Sequence, residues 1–377
     1  MTALTRTDRS LVGQWWWTVD RWSAAAVVSL VAIGTVLSFA ASPSIARKFD
    51  YPTFHFVYRT FMYSLPALTV LFSVSLMNPR QLRRLSAIVF FVGVALMGLA
   101  LVAGSEVNGA HRWIKLGPLS IQPSEFVKPA FVVLSAWLFA ASNRVPGFPG
   151  NLLAGGLLAL VGVLLLQQPD LGQLLLLTAV WGGMFFMAGI PLVWLGILGA
   201  GSIIGAISAY SLFPHVTSRV DRFLDPEAGD TYQVDKALEA FQQGGLLGRG
   251  PGEGQIKNFI PDAHTDFVFA VAGEEYGLLA CLILVGIFCF IVTRGFLRAM
   301  EANDQFVQLA AGGLVALFGL QAFINMGVSL SLMPAKGMTL PFVSYGGSSL
   351  IATALSVGML LALTRKGWAG HYGVQGL

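Results

Sequence analysis

Residues 276–293, YGLLACLILVGIFCFIVT, carry no charged side chain, and as a helix they would be about 27 Å long. That nearly spans a bilayer's hydrocarbon core, roughly 30 Å thick. Nine further apolar segments share this character, near 22–42, 57–77, 85–104, 124–141, 150–168, 171–189, 190–210, 306–330 and 343–364, with the last-quoted run belonging to a segment at 274–294. Strands of a membrane barrel are about 10 residues long and alternate polar with apolar; these segments do neither. Only 11% of the chain is charged, against about 25% in a soluble domain. The expected fold is an all-α polytopic membrane protein of ten transmembrane helices, with one large extracytoplasmic loop, 211–266, between helices 7 and 8.

The expected domain layout is an N-terminal tail, 1–21, one membrane domain, 22–366, and a C-terminal tail, 367–377. The first apolar segment lacks a small-residue cleavage site and reads as an uncleaved anchor. Trp15, Trp16, Trp17 and Trp22 before it suit an interfacial aromatic belt or a short surface helix. Ten spans put both termini on one side. With the long loop set aside, the short loops on that side hold more Lys and Arg, so both termini are expected in the cytoplasm. Of the 19 acidic residues, only Asp8, Asp20, Glu301 and Asp304 fall there. The polar complexity therefore lies on the outer face. Cys281 and Cys289 are eight residues apart on one segment, about 12 Å along a helix. That is too far for a disulfide, and both read as inert.

Within the long loop, Val234, Ala237, Leu238 and Phe241 follow helical spacing, predicting an amphipathic helix over 231–243 with Asp230 or Thr231 as cap and Gly244-Gly245 as stop. Downstream, PDAHTDFVFAVAGEE (261–275) crowds carboxylates at the mouth of an apolar helix. Glu274 and Glu275 suit its outer boundary. Asp266, about 12 Å further out if helical, would edge a partly desolvated outer cavity and act as a general base. Thr265 or Asp266 would equally suit an N-cap.

Four other stretches carry charge where chemistry is possible. In VNGAHRWIKLGPLSIQPSEFVKPA (107–130), Arg112 and Lys115 precede Glu125 and Lys128, which share a helix face just inside an apolar segment. Such a pair marks a functional pathway or ties two helices together. GGLLGRGPGEGQIK (244–257) is glycine-rich and suits phosphate oxygens or simply a flexible loop; it is neither a Walker motif nor GxGxxG. Arg249, Lys257, Arg219 and Arg222 add positive charge to it. Lys336, alone between Pro334 and Gly337, suits an anionic head group or a snorkelling role. Asp170, in QQPDLGQ, suits a helix cap. HExxH, a Cys/His metal array and a nucleophile elbow are absent, and nothing suggests nucleic-acid binding. Together these residues predict an outer-face cavity for an anionic, lipid-carried substrate.

Five motifs in order, NGAHRWIKLGPLSIQPSEFVK, QQPDLG, YQVDKALEAFQQGGLLGRGPGEG, PDAHTDFVFAVAGEE and MPAKGMTLPFVSYGGSS, together resemble the SEDS family (shape, elongation, division and sporulation proteins). The resemblance covers roughly 15–366, and Lys336 in PAKGMTLPFVSYGGSS is similar to the division-type branch. It implies a peptidoglycan glycosyltransferase that polymerises lipid II on the outer face of the bacterial cytoplasmic membrane, at the septum. By the same resemblance Asp266 is the catalytic residue, and Glu125 and Lys128 match the family's charged pair. Arg112, Arg219, Arg222, Lys257, His264, Thr265, Lys336 and Ser344 join them as substrate-binding candidates. Implied partners are a class B penicillin-binding protein, divisome regulators, and lipid II with undecaprenyl-diphosphate-linked glycan. No cofactor is certain; a divalent cation, Mg or Mn, is an alternative to these cations for stabilising diphosphate, and Glu253 in GEG departs from relatives with neutral residues there. The rival readings are a lipid II flippase, an elongation-type polymerase and a non-catalytic scaffold. A transporter should carry polar residues near the midplane in broken helices, whereas here they cluster on one face.

Overall fold

The computed structural model describes residues 10–48, 50–107, 110–117, 119–212, 217, 221, 232–334 and 337–366. Each of the ten apolar segments forms a helix. A short helix α1 (Leu11–Thr18) precedes α2 (Arg21–Lys48), α3 (His55–Ser75) and α4 (Pro79–Ala103). Then follow α5 (Pro123–Arg144), α6 (Gly150–Gln167), α7 (Leu171–Met187) and α8 (Leu192–Leu212). The surface helix α9 (Tyr232–Gly244) precedes α10 (Val268–Met300), α11 (Gln305–Ser329) and α12 (Gly347–Leu363). Among the described residues seven helices are long and apolar enough to cross a membrane, α7 and α12 are shorter apolar helices, and α8 is a mainly apolar helix of 21 residues.

Local signals start several of these helices, and the expected cap at Asp170 is among them. Asn78 and Gln81 form a reciprocal capping box ahead of α4, with Pro79 in the first turn. Asp304 caps α11 by accepting from Phe306 N at 2.8 Å. Asp170 caps α7 by accepting from Gln173 N. The amphipathic helix of the long loop runs Tyr232–Gly244, and Gly245 takes a left-handed φ of 56° to end it. Its expected caps, Asp230 and Thr231, lie outside the described residues. Trp15, Trp16 and Trp17 lie on the short helix α1, with the Arg21 guanidinium over the Trp16 and Trp17 rings, while Trp22 lies in the first turn of α2.

α5, α11 and α12 are the most buried helices, and their small and aliphatic side chains form one core with α4, α6 and α7. α2, α10 and α12 enclose a second core. Both ends of the described chain meet on one side, where Lys366 N donates to Thr18 O at 2.9 Å. Asp20 lies there too, in a bidentate pair with Arg294 at 2.6 and 2.7 Å. Burial alone would raise the Asp20 pKa, yet the Arg294 and Ser23 hydrogen bonds outweigh it and hold it below the ordinary carboxylate value.

The opposite side differs from expectation in three ways. First, the loop before α5 folds into an antiparallel three-stranded meander, β1 (Ser105–Val107), β2 (Ala110–Leu116) and β3 (Leu119–Ile121). Second, Glu274 and Glu275 are not at a water boundary: they are 0% and 1% exposed. Third, the glycine-rich loop is not a free phosphate cradle, because α10 kinks at Gly277 (φ 74°, ψ −174°). The kink releases the Glu274 and Glu275 carbonyls and the Leu278 and Leu279 amides. The loop supplies the missing partners: Arg249 N and Gly250 N donate to the Glu274 and Glu275 carbonyls, and Leu278 N and Leu279 N donate to the Gly245 and Leu246 carbonyls. In an apolar surrounding such groups must be satisfied, so the loop is bound to the kink by its backbone.

Gly277 therefore tolerates no side chain. A Cβ would lie 2.4 Å from Gly248 N, and its dihedrals belong to a region almost restricted to glycine. Gly277→Ala should cost on the order of 1–3 kcal/mol and lower the melting temperature in detergent. An unchanged melting curve would show that the loop is not seated on the kink.

Candidate active site

The segment that carries Asp266 is a turn built on Asp262. Asp262 takes a left-handed φ of 53°, which Asp tolerates. Its carbonyl accepts from Thr265 N at 3.0 Å, Asp266 N at 3.1 Å and Thr265 Oγ1 at 3.2 Å. Helix α10 then starts with Phe267 in the cap position and no side-chain cap. The N-cap alternative for Thr265 and Asp266 is thus not realised, and the Asp266 carboxylate is free of that duty.

The loop before α12 closes over this turn. Ser344 Oγ donates to Thr265 O at 2.5 Å and accepts from Leu340 N at 2.8 Å. Tyr345 N donates to His264 O at 2.9 Å. The His264 ring stacks on Tyr345 and packs beside Phe56, with centroids 5.2 and 4.8 Å away. Gly337 lies against Asp266: a Cβ there would stand 3.3 Å from Asp266 Oδ2. Protein thus surrounds Asp266 while part of it stays open to solvent. Burial, then the neighbouring Asp262 carboxylate, push its pKa up to about 7. Burial drives His264 the other way, to about 4, so its imidazole is neutral at physiological pH. A carboxylate poised near neutrality at a membrane face suits general-base chemistry.

The other candidates separate into groups. Glu125 and Lys128 form a closed ion pair inside the bundle, with Lys128 Nζ 2.9 Å from both carboxylate oxygens. Gln173 Nε2 donates to Glu125 Oε1 at 2.7 Å and Lys128 Nζ donates to Gln321 Oε1 at 3.0 Å. These bonds tie α5 to α7 and α11, and the pair also lines a small cavity with Gln321, Pro341 and Ser356. Arg112 is also occupied: Nε donates to Gln168 O at 2.6 Å, and another nitrogen donates to Pro169 O. With Asp170 3.6 Å away, it clamps the meander to the α6–α7 turn. Burial raises the Asp170 pKa although Arg112 opposes it. Lys257 is 5% exposed and paired with Glu275, while Glu274 accepts from Ile256 N and Lys257 N at 2.6 and 2.8 Å. It serves the kink, since a buried ammonium needs its carboxylate, and is not presented to a substrate. His264, Thr265 and Ser344 do stand beside Asp266, joined through backbone atoms. Arg219, Arg222 and Lys336 lie outside the described residues.

Sequence reasoning missed four neighbours. Asp262 builds the turn, Tyr345 covers His264, and Arg59 on α3 hydrogen-bonds Tyr345. Asn325 on α11 donates to the Asp266 carbonyl at 2.9 Å. An amide within an apolar helix is itself a signal of function. Among the described residues no three His, Cys, Asp or Glu side chains converge as a metal cage. Cys281 is buried and Cys289 exposed, both free thiols.

Ten apolar helices define a multi-pass membrane protein. Residues 21–367 match the family described as "Cell cycle protein", that of FtsW, RodA and SpoVE, and the chain belongs to this SEDS family. It is 46% identical over 375 residues to the "Probable peptidoglycan glycosyltransferase FtsW" of Caulobacter vibrioides, covering 99% of this chain and 96% of that one. A protein of the same description from Coxiella burnetii is 37% identical, covering 92% and 96%. Among solved structures, Thermus thermophilus RodA is 28% identical with a TM-score of 0.69, covering 93% of this chain and 97% of that one. A chain described under "Structural coordination of polymerization and crosslinking by a peptidoglycan synthase complex" is 29% identical with a TM-score of 0.75, covering 92% and 97%.

Proposed function

We infer that this chain is a peptidoglycan glycosyltransferase of cell division, joining membrane-anchored precursors into glycan strands. The relatives named as glycosyltransferases match it over nearly their whole length. The observation that carries the chemical reading is Asp266: uncapped, hemmed in, and with a pKa near 7. The substrate is lipid II, presented at the outer face. Asp266 accepts the proton of the acceptor GlcNAc 4-hydroxyl as that oxygen attacks the anomeric carbon of the donor glycan. The new C–O bond forms as the bond to undecaprenyl diphosphate breaks, with inversion. The diphosphate is already a good leaving group, so one base suffices, and cationic side chains, with Lys336 a candidate from the sequence, or a bound metal stabilise its developing charge.

Both termini face the cytoplasm, and the enzyme works at the septum of the cytoplasmic membrane. A class B penicillin-binding transpeptidase is its partner, together with divisome regulators. The likeness to a chain from a synthase complex that couples polymerisation with crosslinking supports that pairing. Liposomes holding the purified protein and labelled lipid II test the reading, with and without a transpeptidase whose active serine is blocked. Glycan strands are the expected product. Lipid II crossing the bilayer without strands would favour a transporter.

A further inference from the structure

The described residues place two carboxamides one helical turn apart on the buried face of α11, Gln321 at 5% and Asn325 at 1% exposure. Neither belongs to the charged pair or to the Asp266 turn. In an apolar helix an amide without partners is costly; both NH2 groups find acceptors on the same strip of loop, while Asn325 Oδ1 has no partner among the described residues. Gln321 Nε2 donates to Thr339 O at 3.1 Å, and Asn325 Nδ2 donates to Met338 O at 2.6 Å. The Asn325 amide also reaches Asp266 O at 2.9 Å. One NH2 group therefore joins two segments far apart in sequence, the turn bearing Asp266 and the loop beginning at Gly337. Both neighbours are carbonyl oxygens, so the amide orientation follows from chemistry: the nitrogen must face them. Below, Gln321 Oε1 accepts from Lys128 Nζ at 3.0 Å, and Lys128 is locked on Glu125.

We propose that Gln321 and Asn325 are positioning residues for the transfer reaction, fixing the loop after Lys336 against Asp266 and anchoring that geometry to the buried Glu125–Lys128 pair. The inference rests on Asp266 being the base. The ladder runs Glu125, Lys128, Gln321, Thr339 along one branch. The other runs from Asn325 to Met338 and Asp266. Neither amide touches the reacting atoms. Each instead restrains the distance between the base and whatever the 337–340 strip holds opposite it. Displacing a catalytic group by about 1 Å can cost about 10²-fold in rate.

The test compares Asn325→Leu and Gln321→Met with wild type in lipid II polymerisation, with hydrogen exchange read on the same samples. Asn325→Leu removes both donors at similar volume and should lower kcat about 10–100-fold, with KM changed less than about threefold. Amides of 262–267 and 337–345 should exchange faster while the rest of the bundle keeps its protection. Gln321→Met, which removes the donor to Thr339 and the acceptor of Lys128 but leaves Asn325 in place, should show the same pattern more weakly, and it decides the matter if Asn325→Leu does not fold. Wild-type kcat in the folded variants would overturn the proposal. So would a kcat loss with unchanged exchange in those two segments. Asp266→Asn is assayed in parallel. If it stays active, the base assignment fails, while the exchange data still judge whether the amides tie the two segments together.

Discussion

Asp266→Asn should lower the rate of glycan polymerisation about 10²–10⁴-fold, the usual contribution of a positioned general base. The same change should leave the fold intact or slightly firmer at neutral pH. The reason lies in the sign of its pKa. Burial and Asp262 raise it to about 7 from an ordinary 3.8, so the folded state prefers the protonated form. Its stabilising contribution is complete below about pH 4 and is lost as pH rises through about 7. Asparagine mimics the neutral carboxyl and avoids that loss. Activity and thermal unfolding measured on one preparation should therefore diverge: activity falls while the melting temperature holds or rises. A large fall in both would show that the carboxylate supports the fold rather than the reaction.

Lys128→Met should be among the most destabilising single substitutions in the bundle. Lys128 and Glu125 are 3% and 5% exposed and share one ion pair. Removing the ammonium leaves Glu125 with only the Gln173 amide as a partner. Breaking a buried pair in this way costs about 3–5 kcal/mol, whereas replacing both members with neutral groups is often close to neutral. Glu125→Gln/Lys128→Met should therefore recover most of the lost stability. Chemical unfolding in detergent of wild type, both single variants and the double variant gives the coupling directly. A double variant no more stable than Lys128→Met would show that the pair is not what ties α5 to α7 and α11.

The helices were legible because membrane insertion demands long apolar runs, and those runs are continuous in the sequence. The surface helix at Tyr232–Gly244 was legible from its spacing, and Asp170 as a cap from its place in a turn. The meander was not. β1 and β3 are three residues each, too short to show a periodic signal, and the Arg112 clamp on Gln168 and Pro169 spans more than fifty positions. Lys257 read as an available cation because it follows a glycine-rich polar stretch. Only the kink at Gly277 brings Glu275 against it. The same kink explains why the glycines bind helix backbone instead of phosphate. Asp266 was legible as a candidate, but only the start of α10, with Phe267 in the cap position, removes the cap alternative. Gln321 and Asn325 were legible in principle, as amides at i and i+4 in an apolar helix, yet their targets lie on a loop that only the fold places beside them.

The central claim is that Asp266 works as a base whose surroundings hold its pKa near neutrality. The most direct measurement is kcat for lipid II polymerisation as a function of pH, taken between about pH 5 and 9 at saturating substrate. With Asp266 as the base, kcat should rise with pH through a midpoint near 7, where the Asp266 carboxylate forms, and be level above it. His264, with its pKa near 4, adds no step in that range. A rate that is flat across the range, or that falls as pH rises through 7, would contradict it.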